Sequence, residues 1–291
     1  MGSADTPFRP RRSVLYMPSS NERALEKAKT LPVDGLIFDL EDAVAPDQKA
    51  AARESACAAA ASGDYGSREV TIRVNGSGTE WHDEDLAAAC AAGPDGIVVP
   101  KVDSADEVRS LVAAMERHGA PARTRLWAMV ETPTAVLDVG EIASASPRLA
   151  ALVIGSNDLV KELGARHVPG RAPLLTSLSL AVLAARRSAV AILDGVYNDV
   201  KDLDGFEAEC RQGRDLGFDG KTLIHPGQVE PCNAVFAPSV QDVEDAREIL
   251  QAWEAGAGAG VVTHRGRMVE HLHVEIARKV IATDEVIRSR G

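Results

Sequence analysis

The chain has 291 residues, 45% of them hydrophobic and 4% aromatic, and a formal net charge of −11. That is enough globular material for one large domain or two small ones. The negative balance speaks against a nucleic-acid surface and a polybasic membrane patch, although a local basic pocket for a phosphorylated ligand remains compatible with it.

No apolar run has the length of a membrane span, and the stretch from Met1 to Pro10 lacks the apolar core of a signal peptide. Its Met-Gly-x-x-x-Thr start matches a myristoylation pattern, a short one. Cys57, Cys90, Cys210 and Cys232 are far apart and show no metal-ligand spacing. Reduced thiols in a cytoplasm are therefore expected.

Residues 1–11 read as a polar, Pro/Arg-rich flexible tail. Ser13 to Pro18 is a first strand, and Asn21 to Thr30 a helix capped by Ser20 or Asn21. Gly35 to Glu41 is a second strand and the alanine-rich Ala50 to Ser62 a helix. Glu69 to Asn75 and Gly96 to Val102 are the third and fourth strands. A Ser-x-x-Glu capping box, Ser104 to Glu107, opens the helix after the fourth. Leu126 to Pro133 and Leu152 to Leu159 are the fifth and sixth strands, Ala189 to Val196 the seventh, and Gly220 to Pro226 the eighth. Helical segments of crossover length separate them.

Eight β units alternating with helices predict an α/β protein with a (β/α)8 TIM barrel over 12–237. A doubly wound open sheet is the alternative, but no Gly-x-Gly-x-x-Gly follows the first strand. Residues 238–291 form a C-terminal arm: a helix from Pro238 to Glu254, a Gly/Ala linker from Ala255 to Gly260, and a segment ending in an amphipathic helix. The pattern fits a lid or swapped arm, and equally a terminal helix packed on its own barrel.

Polar residues gather at the C-terminal strand ends: Glu41 and Asp42, Arg73 and Asn75, Lys101, Glu131, Asp158 and His225. That is the catalytic face of such a barrel. Glu131 and Asp158 each close an apolar strand, where an uncompensated carboxylate is costly. They can share one hard cation, and Mg²⁺ suits two carboxylates with positions left for substrate and water. The competing reading is that each caps the helix that follows.

The matching stretches Arg12 to Pro18, Phe38 to Val44, Ile72 to Gly76, Val99 to Lys101, Val130 to Pro133, Gly155 to Leu159, Asp194 to Tyr197 and Leu216 to Pro226 run in order along nearly the whole chain. With them the chain resembles the citrate lyase β-subunit-like and malyl-CoA lyase proteins of the HpcH/HpaI aldolase superfamily. The resemblance implies Mg²⁺ held by Glu131 and Asp158, and Arg73 gripping the carboxylate of an α-keto acid or acyl group. It also implies a homotrimer or dimer of trimers, in which the C-terminal segment of one subunit closes the site of another. Two departures stand out. Pro18-Ser19-Ser20 replaces the family's usual Pro-Gly-Ser, and Glu270 stands where malyl-CoA lyase-like members carry an aspartate.

The chemistry implied is cleavage or formation of a carbon–carbon bond beside a thioester. A 3-hydroxyacyl-CoA such as malyl-CoA or citramalyl-CoA would give an α-keto acid and acetyl-CoA. Arg73 suits a planar carboxylate; its rival role is a structural ion pair to Glu41 or Asp42, and both can hold if these two orient it or metal-bound water. Glu270 from a neighbouring subunit is the candidate proton carrier, its rival role being a solvated residue on the last helix. Asn157 and Glu131 join Arg73 as substrate contacts, and Arg12 and Lys27 are the candidate cations for CoA phosphates, though an exposed helical lysine is usually just solvated. His225 is read as a structural hydrogen-bonding residue before a catalytic one. His264, His271 and His273 have no convincing zinc spacing. Alternatives are a malyl-CoA thioesterase on the same scaffold, a citrate lyase β subunit acting on a carrier-protein thioester, and a non-catalytic assembly or sensing barrel.

Overall fold

The computed structural model describes residues 9–256 and 260–290. Most of the expected N-terminal tail and residues 257–259 of the expected linker lie outside them. Two compact units are present: Arg11–Asn233, and a second that holds the chain from Ala234 on.

The first unit is a closed barrel of eight parallel strands in sequential order. The strands are β1 (Ser13–Pro18), β2 (Gly35–Asp39), β3 (Glu69–Arg73), β4 (Gly96–Val99), β5 (Arg125–Val130), β6 (Leu149–Ile154), β7 (Ala191–Asp194) and β8 (Gly220–Leu223). Helices α1 (Glu22–Ala28), α2 (Lys49–Ser62), α3 (His82–Ala92), α4 (Ala105–Arg117), α5 (Pro133–Leu137), α6 (Val139–Ser144), α7 (Ser156–Glu162), α8 (Leu175–Ser188), α9 (Leu203–Leu216) and α10 (Val229–Phe236) connect or follow them. The expected (β/α)8 architecture is therefore the observed one. Most strands stop two to five residues earlier than their apolar runs, because the chain turns away once its polar residues reach the rim.

Period-two alternation fills the barrel. Val14, Ile37, Val98, Trp127, Met129, Ala151, Val153 and Leu193 form one buried cluster, with Tyr16 packed against it. Their neighbours Leu36, Phe38, Ile97, Leu126, Ala128, Leu152 and Ile192 are buried too. Burial on both faces explains why the strands read as continuous apolar runs.

The N-terminal rim is clamped by two arginines. Arg11 forks onto Glu69 (2.6 and 2.8 Å) and Arg12 onto Asp34 (2.8 and 2.8 Å). Arg12 immediately precedes β1, so it sits at the end of the barrel opposite the catalytic face; its expected place beside a CoA phosphate is corrected accordingly. At the closing seam Gly220 admits the passing chain: a Cβ there would lie 1.8 Å from the Arg11 carbonyl oxygen.

The caps follow local sequence. Asn21 accepts from the Ala24 N–H (3.1 Å) and Ser104 from the Glu107 N–H (3.1 Å). The capping box is not reciprocal, because the Glu107 carboxylate accepts from the Asp103 N–H (3.0 Å) instead.

In the second unit α11 (Val240–Ala255) packs along α12 (His271–Arg290), and a hairpin of β9 (Val262–His264) and β10 (Arg267–Val269) lies between them in sequence. This hairpin was not expected. Its turn residues Arg265 and Gly266 both have positive φ (46° and 74°), as a two-residue type I′ turn requires. Arg265 is anchored to Asp245 (2.8 Å) and Glu248 (2.6 Å) of α11. Among the described residues no helix is long and apolar enough to cross a membrane.

Candidate active site

The site is built from the C-terminal strand ends. Asp39 closes β2 and Arg73 closes β3, and the parallel register sets them side by side. Alternation turns both inward, since Ile37 two residues earlier faces the barrel core. Arg73 Nε and Nη2 donate to Asp39 Oδ1 and Oδ2 (2.6 and 2.7 Å). Its Nη1 lies 2.7 Å from Glu41 Oε2 and 3.7 Å from Asp42 Oδ2, and its guanidinium carbon sits 4.8 Å from the Tyr16 ring centroid. The expected pairing of Arg73 with Glu41 and Asp42 is thus present, but Asp39, absent from the predicted set, makes the bidentate fork. Asp42 is largely exposed.

Burial would push the Asp39 carboxyl up; the Arg73 charge and fork more than offset it and hold Asp39 below the usual range. Glu41 goes the other way. Burial, with Asp42 and Asp39 adding their repulsion against the pull of Arg73, pushes it to about 7.

Glu131 follows β5 directly and is 2% exposed. Its Oε1 accepts from the Lys101 backbone N–H (2.8 Å), and its Oε2 occupies the space that a Cβ on Gly155 would fill, 2.0 Å away. Burial, then the charges of Glu41 and Asp158, push it to about 7. Asp158 lies in the first turn of α7 with Oδ1 3.5 Å from Lys101 Nζ. Neither acid is a helix cap. Thr132 caps α5, accepting from the Ala135 N–H (3.0 Å), and α7 starts at Gly155 without a side-chain cap.

Glu131 and Asp158 therefore stand as hard oxygen donors among strand-end side chains with more carboxylates than cations. Among the described residues no three His, Cys, Asp or Glu side chains form a metal cage. Two carboxylates completed by substrate and water fit the coordination habit of Mg²⁺, which seldom uses an all-protein cage.

A buried lysine supports this rim. Lys49 Nζ donates to the carbonyls of Leu40 and Glu41 (2.7 Å each) and to Asn75 Oδ1 (2.8 Å), fixing the loop that carries Glu41 and Asp42. Asn75 in turn donates to Asp85 Oδ2 (2.6 Å).

The other predicted residues have their own partners or surroundings. Asn157 is exposed and exchanges amide hydrogen bonds with Asn198 (3.1 and 2.7 Å). Lys27 is exposed in the last turn of α1. A cavity of about 690 Å³ at the start of α1 and α2 is lined by Arg23 with Ser20, Asn21, Asp47, Gln48 and Ser55. The substituted turn keeps ordinary backbone, as Ser19 and Ser20 are outside the positive-φ residues. His225 is structural: its Nδ1 accepts from the Gly227 N–H (3.0 Å) while Gln228 accepts from the His225 N–H (3.2 Å). In the second unit Glu270 is half-buried just before α12, and its N–H donates to His273 Nδ1 (3.1 Å). His271 pairs with Glu275 (3.3 Å), so the histidines go to separate partners.

Residues 12–226 match the model of the HpcH/HpaI aldolase/citrate lyase family. The chain is 48% identical over 280 residues to a (3S)-malyl-CoA thioesterase of Cereibacter sphaeroides, covering 96% of each protein. It is 35% identical over 285 residues to the citrate lyase β subunit of Escherichia coli K12, covering 96% of this chain and 94% of that one. Among solved structures it is similar to the protein CitE of Mycobacterium tuberculosis in complex with magnesium, acetoacetate and coenzyme A (TM-score 0.76, 28% identity, 95% and 98% covered). The chain belongs to the HpcH/HpaI aldolase/citrate lyase family.

Proposed function

We propose that the protein is a Mg²⁺-dependent carbon–carbon lyase acting on the CoA thioester of a small 3-hydroxy acid, malyl-CoA or citramalyl-CoA, to give an α-keto acid and acetyl-CoA. The observation that carries this reading is the carboxylate surplus at the barrel mouth, with Glu131 seated against Gly155 and facing Asp158 and Lys101. The complex of the M. tuberculosis relative with magnesium and coenzyme A supports it.

Glu131 and Asp158 would hold the ion, which when bound supplies Lewis-acid polarisation of substrate oxygens. Arg73 binds the substrate carboxylate. Its Nε–Nη2 edge is committed to Asp39, so the incoming anion meets it where Glu41 now sits, and Glu41 must give way or take a proton. Its pKa near 7 makes that change easy at neutral pH. Asp39 and the Tyr16 ring keep the guanidinium from following the anion.

The proton that the enolate of the thioester needs comes from Glu270 of a neighbouring subunit. The cavity beside Arg23, with the N-cap of α1 at its edge, receives the nucleotide end of CoA. Trimeric assembly and a cytoplasmic setting belong to the same proposal; all four cysteines are free thiols.

A second reading is hydrolysis of the malyl-CoA thioester, favoured by the name of the relatives at 48% identity. Incubation with malyl-CoA and citramalyl-CoA, with Mg²⁺ or EDTA, separates the two by mass spectrometry. Acetyl-CoA with glyoxylate or pyruvate, formed only with Mg²⁺ and lost in Asp158→Ala, is the expected result. Free CoA with intact hydroxy diacid would establish the thioesterase. No product from either would redirect the search to carrier-protein thioesters.

A further inference from the structure

Lys101 is placed unusually. β4 ends at Val99, Pro100 follows, and Lys101 has φ of +53°. A non-glycine residue in the left-handed region is costly and persists only where its surroundings over-determine it. Here the turned backbone does two things at once. It aims the Lys101 N–H at Glu131 Oε1 (2.8 Å) and sends the side chain back so that Nζ lies 3.5 Å from Asp158 Oδ1. One residue thus touches both carboxylates, which come from two other strand ends.

The ammonium is drawn there by Asp158, Glu131 and Glu41. Arg73 is already shared by Asp39 and Glu41, and the Lys49 ammonium is held by the Leu40 and Glu41 carbonyls and Asn75. The Lys101 side chain is 49% exposed and so has room to leave.

We propose that Lys101 is the resident counter-cation of the Glu131–Asp158 pair, and that a divalent ion must displace its ammonium to bind. The inference rests on the metal reading given above. The backbone N–H continues to hold Glu131 after the exchange, so the site keeps its shape while its charge is replaced. Lys101 weakens metal binding by competing for Asp158 and stabilises the metal-free protein by neutralising the pair. It is a positioning residue and needs no contact with substrate.

The test is titration of metal-free protein with MgCl₂ by calorimetry at fixed pH and ionic strength, with thermal melts at zero and saturating Mg²⁺. Lys101→Gln is expected to bind Mg²⁺ about two- to fivefold more tightly than wild type, the range set by removing a half-exposed ion pair. Lys101→Arg, which keeps the charge, is expected to stay within about twofold. The metal-free melting temperature of Lys101→Gln should fall, with the gap closing at saturating Mg²⁺. If Lys101→Gln fails to fold, Lys101→Gly removes the ammonium and relieves the left-handed backbone, and the same tightening is expected of it. Unchanged or weaker Mg²⁺ binding in Lys101→Gln or Lys101→Gly overturns the proposal alone. Absence of Mg²⁺ binding by wild type overturns the metal reading and the proposal with it.

Discussion

Gly155 makes room for a catalytic-face carboxylate by having no side chain. A Cβ there would lie 2.0 Å from Glu131 Oε2 and 2.4 Å from its Cβ, so Gly155→Ala must push Glu131 out of place. Since φ is not positive at this residue, the change adds no backbone strain; the effect is confined to the space that Glu131 occupies. If Glu131 holds the metal as proposed, its displacement by about 1 Å is expected to cost on the order of 10²-fold in turnover. Steady-state kinetics at saturating Mg²⁺ check this. Turnover within twofold of wild type would show that Glu131 is free to move without loss.

At the level of elements, the outer face of β7 and β8 carries a buried ion network that the site does not use. Asp194 accepts from Arg171 Nη1 (2.6 and 2.8 Å) and from Lys221 Nζ (3.0 Å), and Lys221 also reaches Glu209 of α9 (2.8 Å). Asp194 and Lys221 are 0% exposed. Asp194→Asn leaves two buried cations short of a partner and is expected to cost about 3–5 kcal/mol in urea unfolding at pH 7. Burial pushes the Asp194 carboxyl up, but Lys221 and Arg171 more than offset it and hold it below the usual range. The folded protein therefore releases this proton more readily than the unfolded chain. The stability it contributes is present above about pH 4 and is lost as pH falls through the folded value. The variant should show a flatter loss of stability below pH 4, measured by urea midpoints across that range.

The barrel was legible because both faces of each strand are apolar and polar residues cluster at one end. Asp39 was passed over for Glu41 and Asp42, since the apolar run was read through to its last acid. Counting by two from Ile37 points to it. Lys49 had no signal: its partners Leu40, Glu41 and Asn75 meet it only through the loop's path. The capping reading of Glu131 failed because Thr132-Pro133 supplies both the cap and the first-turn proline. Arg12 was assigned by nearness in sequence to the first strand, which says nothing of which end it occupies. The small hairpin escaped because three-residue strands carry too little alternation, although Arg265-Gly266 is a fair turn signal.

At the scale of the whole molecule, each unit exposes apolar side chains. In the barrel unit Leu137 (81%) and Leu183 (67%) stand out on α5 and α8. In the second unit Met268 (60%), Leu272 (51%) and Ile276 (59%) form a stripe leading from β10 onto α12. The two patches differ, so their mutual burial between copies would be heterologous, the kind of contact that closes into rings. If the chain assembles as proposed, Leu183→Glu and Ile276→Glu are each expected to lower the mass in solution, read by light scattering. An unchanged mass in both variants would show that neither patch takes part in self-association.

The seam between β1 and β8 has a further consequence for how the chain is made. Ser13, Val14 and Leu15 pair with Lys221, Thr222 and Leu223, about 210 residues later, and the Lys221 N–H donates to the Arg12 carbonyl (3.0 Å). At ordinary rates of synthesis, on the order of 10–40 s pass between the two ends of that pairing. For all that time one edge of the first strand faces water without its permanent neighbour. Closure is thus a late, long-range event, and the strand edge it covers begins beside two arginines whose carboxylate partners, Glu69 and Asp34, are both made early in the chain.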